Sequence, residues 1–195
     1  RSRRQRQMCI RDSFQKVASE FDVQIDFKSD ASIIALQGPN SMKNLSSLYD
    51  IKLEKFHLYQ DEEVMIARTG YTGELGVEII SDANKGLEIW NYFISKGIQP
   101  IGLAARDTLR LEAGFNLYGS DMTVENNPYD SNLEWTVDQS EQDRDYIGKK
   151  ALKHLQETKN RLVGFYTDAR GVLRSGTKVS FEGGEGVITL SLIHI

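Results

Sequence analysis

The residues best suited to chemistry lie in one short stretch, residues 68–80, with the sequence RTGYTGELGVEII. Here Tyr71 directly follows the first of three glycines spaced three apart, and Glu78 lies in an alternating apolar run. Glycine allows tight turns and close approach of a partner to the backbone. The tyrosine and the carboxylate can therefore contact a ligand, or they can belong to an ordinary structural hairpin. The glycine spacing is not a dinucleotide fingerprint and no Walker lysine follows it, so phosphate binding by a nucleotide site is not predicted.

A second group lies in residues 103–113, whose composition predicts a strong helix. Arg106 and Arg110 are four residues apart and share a face, and Asp107 can pair with Arg110. The helix is too apolar to be fully solvated, so at least one arginine should be partly buried with a partner. Two hypotheses stay open: an intramolecular salt-bridged face, or a guanidinium held for a carboxylate or planar polar ring.

Other catalytic and metal-binding patterns are missing from the sequence. The three histidines, His57, His154 and His194, have no metal-ligand spacing, and Cys9 is the only cysteine. No Gly-x-Ser-x-Gly nucleophile motif occurs. We therefore predict no metal site and assign no nucleophile.

Composition excludes two kinds of partner. The chain has 195 residues, 39% hydrophobic and 27% charged, which is typical of a globular protein, and no apolar run is long enough to span a bilayer. Five of its 24 basic residues lie in residues 1–12 beside one acid, so the remainder has 19 basic against 27 acidic residues. A body this acidic is a poor candidate for nucleic-acid binding, and without a long apolar run no membrane partner is predicted.

The two ends differ from the rest of the chain. Residues 1–12, RSRRQRQMCIRD, could be a basic arm or a disordered tail, but they resemble translated sequencing-adapter sequence most closely, as do residues 191–195. They lack the apolar region of a signal peptide. We assign neither end a function, and the chain is then expected to be an internal piece of a longer protein.

The periodicity of the remaining residues predicts helices and strands without a regular βαβ repeat, and hence an α+β fold. Residues 64–69 and 75–80 should form a hairpin with Glu78 on the face opposite the apolar side chains. Further strands are predicted at residues 23–27, 33–36, 53–59 and 133–137, and helices at residues 13–21, 42–49, 82–96, 103–113 and 146–155.

From residue 158 the pattern changes to short strands with glycine breaks, at residues 162–167, 178–181 and 186–189. We predict one domain over residues 13–157 and the truncated start of a second, β-rich domain over residues 158–190. The sequence ends before such a domain could close a barrel or sandwich.

Several motifs, taken together, resemble the aminomethyltransferase family, the T-proteins of the glycine cleavage system. The two strongest are RTGYTGELGVE at residues 68–78 and GLAARDTLRLEAG at residues 102–114. Others follow in the family's order: ALQGP at 35–39, LYGSD at 117–121, LEWT at 133–136, YIGKKAL at 146–152, GVLR at 171–174 and EGVIT at 185–189. The resemblance covers about residues 13–190.

The resemblance implies a folate-binding T-protein-like body followed by a C-terminal β-barrel. It also implies transfer of the one-carbon unit from the aminomethyl-lipoyl H-protein to tetrahydrofolate, the co-substrate, with release of ammonia. The partners implied are the lipoylated H-protein and tetrahydrofolate, in the cytoplasm of a bacterium or the mitochondrion of a eukaryote.

By motif, the family's folate-binding residues correspond to Tyr71, Glu78 and Arg106. A carboxylate can accept hydrogen bonds from the N–H groups of a pterin, a tyrosine offers an aromatic surface, and an arginine offers a cation. The family's catalytic aspartate belongs to an N-terminal segment outside this sequence, so no catalytic residue is named. The 195-residue chain alone is expected to be inactive in glycine cleavage.

Other hypotheses remain beside this one. The chain could be the T-protein-like domain of a sarcosine- or dimethylglycine-oxidising enzyme or a folate-dependent demethylase, which a fused flavin domain upstream would reveal. It could also be a non-catalytic folate-binding protein of iron–sulfur cluster maintenance. That branch carries a Lys-Gly-Cys-Tyr-x-Gly-Gln-Glu motif, whereas residues 69–74 read TGYTGE without a cysteine. A purely structural module is the last alternative.

Overall fold

The protein is described by a computed structural model covering residues 3–140, 143–153, 160–167, 171 and 173–189. Its helices are α1 (Arg3–Ala18), α2 (Ser41–Ser46), α3 (Ala83–Ser95), α4 (Leu103–Glu112) and α5 (Lys149–Lys153), with a 3-10 turn at Glu134–Thr136. Its strands are β1 (Ala31–Gln37), β2 (Leu58–Gln60), β3 (Val64–Ala67), β4 (Gly76–Asp82), β5 (Lys178–Phe181) and β6 (Gly184–Val187). The predicted α+β class is confirmed.

The centre of the fold is a four-stranded antiparallel sheet with the strand order β1-β4-β3-β2. One face carries alternating apolar side chains, as period-two patterning requires, and α2 and α3 pack against it. The core members are Leu36, Leu45, Val64, Ile66, Val77, Ile79, Ile89 and Phe93. The predicted hairpin is confirmed, since β3 pairs with β4 and places Ala67 opposite Glu78.

Helix α3 covers this face because its ends and its packing are well defined. Asp82 caps it by accepting hydrogen bonds from the backbone N–H groups of residues 84 and 85, and Gly97 ends it with a φ of 78°. Gly86 lies so close to the sheet that a Cβ there would meet Ser32 Oγ at 2.0 Å. From the sequence, either Ser81 or Asp82 is expected to cap this helix and Gly97 to end it, and the structure shows Asp82 as the cap.

The opposite face of the sheet is largely open. Ile33 of β1 is 66% exposed and Leu58 of β2 is 58% exposed. Glu78 lies on this face, half-buried, between Ala35 and Ala67 of the two neighbouring strands. The sheet therefore presents a carboxylate on a largely apolar, open face.

Three predicted strands are wrong. Residues 23–27 are exposed and irregular, residues 133–137 contain the 3-10 turn with Trp135 exposed, and residues 162–167 form no strand. The strand predicted at 53–59 is reduced to the short β2. Alternation favours a strand only where a neighbouring strand supplies hydrogen-bond partners, and none of the described strands pairs with these segments.

At the N-terminal end of the chain, the first helix has different bounds from those predicted. Helix α1 begins at Arg3 rather than near Ser13 and ends at Ala18, before Phe21. The strand predicted at 178–181 is confirmed as β5, which pairs with β6 in a two-stranded hairpin. The domain boundary at residue 158 and the barrel stay predictions, and residues 158, 159 and 190–195 lie outside the described residues.

Within the described residues, no helix has the length and apolar character that a membrane crossing requires.

Candidate functional site

The loop between β3 and β4, residues 68–75, is longer than the gap of residues 70–74 between the two predicted strands. The side-chain amide of Gln37, the last residue of β1, holds this loop in place. The Gln37 amide nitrogen donates to the carbonyls of Thr69 (3.2 Å) and Val77 (3.1 Å), and its oxygen accepts from the Thr72 hydroxyl (3.1 Å). One half-buried amide thereby fixes both ends of the loop.

The end of the loop is fastened at a second point. The backbone N–H of Gly38 and the hydroxyl of Ser41 both donate to the Leu75 carbonyl, at 2.7 Å and 2.9 Å. Ser41 is almost completely buried, and a buried hydroxyl of this kind needs its partner. Residue 75 is thus tied to the start of α2.

Gly70 in the loop and Gly76 at the start of β4 both lie close to β1. A Cβ at Gly70 would meet Gln37 Oε1 at 2.0 Å, and a Cβ at Gly76 would meet the Leu36 carbonyl oxygen at 2.4 Å. Both distances are shorter than any real Cβ contact. Packing against β1 therefore accounts for glycine at positions 70 and 76, whereas Gly73 has a φ of 77° and lies against Ala113.

Glu78 is positioned by β4 and by the loop. It lies at the middle of the open face, and the Thr69 hydroxyl donates a 2.6 Å hydrogen bond to its Oε2. In the described part of the chain, Oε1 accepts no hydrogen bond from another residue. The carboxylate is therefore oriented by Thr69 while one oxygen stays available.

Tyr71 extends from the loop toward the segment after α4. Its hydroxyl donates a short hydrogen bond to the Asn116 carbonyl, and its ring stacks on Phe115 at 5.8 Å between centroids with a 17° interplanar angle. The exposed Arg106 guanidinium lies 5.6 Å from the ring centroid, within cation–π range. Burial raises the pKa of the Tyr71 hydroxyl, so it is a protonated donor at neutral pH.

Arg110 is the buried arginine that the sequence predicted, with a side chain 0% exposed. Its Nε donates to Asp107 Oδ1 at 2.8 Å, and its Nη1 donates to the Phe115 carbonyl at 3.0 Å and to Asp121 Oδ2. The two arginines of α4 therefore differ in environment. Arg110 is enclosed by acceptors of this chain, whereas Arg106 lies exposed beside the Tyr71 ring.

Asp121 is the main counter-ion of Arg110, and its side chain is only 4% exposed. Burial alone would raise the pKa of this carboxyl. Hydrogen bonds from the Leu117 N–H (2.9 Å), the Thr189 hydroxyl (2.7 Å) and Arg110 outweigh that effect, so the pKa lies below its usual value. The Asp121 carboxylate is thus ionised at neutral pH.

The structure brings two of the three predicted site residues, Tyr71 and Arg106, into direct contact. Glu78 lies on the sheet and is joined to the same loop through Thr69. A polar hollow of about 400 Å³ lies elsewhere, lined by residues 36–41, 43, 44 and 96–99, and none of the three residues lines it. Among the described residues, no group of three or more histidine, cysteine, aspartate or glutamate side chains could hold a metal ion.

Sequence reasoning assigned no role to Gln37, Phe115, Asn116 or Asp121, all of which support the site. Gln37 and Asp121 lie within the ALQGP and LYGSD motifs, so the motifs marked the correct segments. The hydrogen bonds of the Gln37 side chain cross 32 to 40 residues. Those that join Asp121 to Arg110 and to Thr189 cross 11 and 68 residues. No local periodicity indicates pairings of that range.

Comparison with known proteins gives consistent matches. The sequence model described as the GCVT N-terminal domain matches residues 3–141. The aminomethyltransferase of Xanthomonas oryzae pv. oryzae (strain MAFF 311018) is 42% identical over 185 residues, covering 88% of this chain and 50% of that protein. The aminomethyltransferase of Francisella tularensis subsp. tularensis (strain WY96-3418) is 41% identical, covering 90% and 52%.

A solved structure matches in fold as well. The crystal structure of glycine cleavage system aminomethyltransferase T from Bartonella henselae aligns with a TM-score of 0.63 and 32% identity, covering 66% of this chain and 37% of that one. The chain spans about half the length of the curated relatives it matches.

Proposed function

This chain belongs to the family of the GCVT N-terminal domain, and on that premise we propose that it is part of an aminomethyltransferase of the glycine cleavage system. The enzyme class is supported by relatives that are named aminomethyltransferase and are more than 40% identical. We place the protein in the bacterial cytoplasm, since these relatives are bacterial.

In the proposed reaction, the methylene carbon leaves the lipoyl sulfur of the H-protein and becomes bound to tetrahydrofolate. The amino group departs as ammonia and the lipoyl arm is left as a dithiol. The lipoylated H-protein and tetrahydrofolate are the proposed partners. The residues of this chain would bind and orient the folate, and the family's catalytic aspartate lies outside the chain.

The observation that carries the proposal is the arrangement of Tyr71, Arg106 and Glu78. The half-buried Tyr71 ring and the exposed Arg106 guanidinium beside it offer an aromatic group and a cation, suited to a molecule with a planar ring and anionic groups. Glu78 keeps one oxygen for the N–H groups of a pterin while Thr69 holds the other. Each of these groups is held by secondary structure or by the fastened loop.

The proposal is tested by calorimetric titration of tetrahydrofolate, kept reduced under anaerobic conditions. The protein is a full-length chain built around residues 13–189, with the other segments taken from the Xanthomonas oryzae relative. Glu78→Ala and Arg106→Ala should each weaken binding by more than about 1 kcal/mol, the scale of a charge-assisted hydrogen bond.

The matched control is Glu74→Ala, an exposed carboxylate of the same loop, which should bind like the parent. A folded parent that does not bind tetrahydrofolate overturns the proposed function. Equal weakening by Glu74→Ala would show that the effect is one of general charge rather than of the site.

A further inference from the structure

The residues on which Tyr71 rests form a short segment, residues 115–117, that follows α4. Phe115 supplies the ring that stacks on Tyr71, and Asn116 supplies the carbonyl that accepts its hydroxyl. Tyr71 itself lies in a loop whose fastening points are at positions 69, 72 and 75. The orientation of the tyrosine ring is therefore set by where residues 115–117 lie.

Both ends of that segment are held by one buried ion pair. Arg110 Nη1 donates to the Phe115 carbonyl at 3.0 Å, and the Leu117 N–H donates to Asp121 Oδ2 at 2.9 Å. The same Asp121 Oδ2 accepts from Arg110. The pair thus closes a ring of polar contacts around the backbone of residues 115–117.

We propose that Arg110 and Asp121 are positioning residues for Tyr71, acting through residues 115–117. We propose further that Thr189, next to the C-terminal hairpin, helps to hold Asp121 in the orientation that this requires. The consequence for ligand binding rests on the function proposed above. Neither Arg110 nor Asp121 needs to touch a ligand, since both side chains are buried among protein groups.

The burial of the pair favours a positional role. A buried ion pair adds little net stability compared with apolar residues of similar volume, because desolvation offsets the attraction. Arg110 Nη2 is also buried without an acceptor among the described residues, so the pair is not optimised for stability. What the pair does supply is directed hydrogen bonds to two backbone groups, which apolar side chains could not supply.

Thr189 extends the network to the C-terminal region. Its hydroxyl donates to Asp121 Oδ1 at 2.7 Å, so the two carboxylate oxygens serve two different parts of the chain. The preceding residue, Ile188, is 3% exposed and accepts and donates backbone hydrogen bonds at residues 176 and 177. The hairpin formed by β5 and β6 is thereby linked to Asp121, which holds residues 115–117 beneath Tyr71.

The proposal is tested in the 195-residue chain by ¹⁹F NMR with 4-fluorophenylalanine incorporated at position 115. The Phe115 resonance reports the stacked Tyr71 ring through its ring current. Tyr71→Leu defines the unstacked resonance position. Asp121→Ala should move the Phe115 resonance at least half of the way to that position, and the Asp121→Ala, Tyr71→Leu double variant should move it no further than Tyr71→Leu alone.

Two matched controls separate positioning from general damage. Asp107→Ala removes the other carboxylate that accepts from Arg110. Within the described part of the chain, the Asp107 side chain makes no hydrogen bond to residues 115–117, so this variant should leave the Phe115 resonance near its original place. Thr189→Val should give a partial shift and Thr189→Ser none, because serine keeps the hydroxyl. These mild variants keep the test valid if Asp121→Ala does not fold, as judged by circular dichroism.

The proposal is overturned if the shifts from Asp121→Ala and Tyr71→Leu simply add, or if Thr189→Val leaves the resonance unmoved in a folded protein. In the full-length protein, Asp121→Ala should weaken tetrahydrofolate binding by about the same factor as Tyr71→Leu, with no further loss in the double variant. A parent that shows the NMR coupling but binds no folate leaves the positioning role standing and removes the proposed function.

Discussion

The central sheet and the support of Tyr71 are held together by different interactions. In the sheet, apolar side chains such as Ile66 and Ile79 are fully buried under α2 and α3. Around residues 115–121, the most buried side chains are the charged Arg110 and the carboxylate of Asp121. Hydrophobic burial is non-directional, whereas each polar contact fixes a donor against an acceptor.

This difference separates stability from geometry. Burial of apolar side chains on the sheet supplies the main favourable free energy of folding. That term depends on the area buried and only weakly on the exact orientation of each side chain. The polar region contributes less net free energy but determines where Phe115 and Asn116 lie. Substitutions in the two regions should therefore differ in kind as well as in size.

The largest expected effect is in the apolar core. Ile79→Ala should lower the free energy of unfolding by about 2–5 kcal/mol, since it removes buried methyl groups and leaves a cavity. Ile33→Ala, on the open face of the same sheet, should cost less than about 1 kcal/mol because the side chain is already exposed. Urea denaturation measures both. Equal losses would mean that the open face is packed in solution and that the contrast between the two faces is wrong.

An intermediate effect is expected when the pH is lowered and Asp121, beside residues 115–117, becomes protonated. The pKa of Asp121 is depressed in the folded state, so its contribution is complete above the unfolded value of about 3.9 and is lost as pH falls through the folded value. Asp121→Asn should therefore reduce the dependence of stability on pH below about 4. The pH profiles of parent and variant, compared by urea denaturation at each pH, measure this. Parallel profiles would show that Asp121 does not contribute in this way.

The smallest effect is expected at the cap of α3. Asp82→Ala removes the acceptor for two backbone N–H groups at the start of the helix that covers the sheet. The expected cost is about 1 kcal/mol, as for other caps. Asp82→Asn is the matched control and should recover most of it, since asparagine is an equally good cap. A loss with Asn as large as with Ala would indicate a role for the charge rather than the cap.

Prediction from sequence succeeded where a local pattern and a local stop coincide. Helix α3 has an apolar period, the Asp82 cap and the Gly97 end, and the β3–β4 hairpin has alternation on both sides of glycines. Residues 23–27 and 133–137 alternate equally well but have no partner strand, which only tertiary structure can supply. Alternation is therefore necessary for a half-buried strand and not sufficient.

The site was predicted unevenly for a similar reason. The burial of one arginine in α4 followed from the apolar composition of its helix, and the structure confirms it at Arg110. Its acceptor Asp121 and the loop support Gln37 come from distant segments, so no spacing rule could indicate them. The folate-binding roles of Tyr71, Glu78 and Arg106 stay predictions.

The contacts of Gly70 and Gly76 also determine which substitutions can compensate for one another. An alanine at Gly70 meets only the amide end of Gln37, so a shorter residue at position 37 could restore space at the cost of the loop's hydrogen bonds. An alanine at Gly76 meets the backbone carbonyl of Leu36, which no side-chain change removes. Positions 37 and 70 should therefore vary together in evolution, whereas position 76 should accept glycine alone.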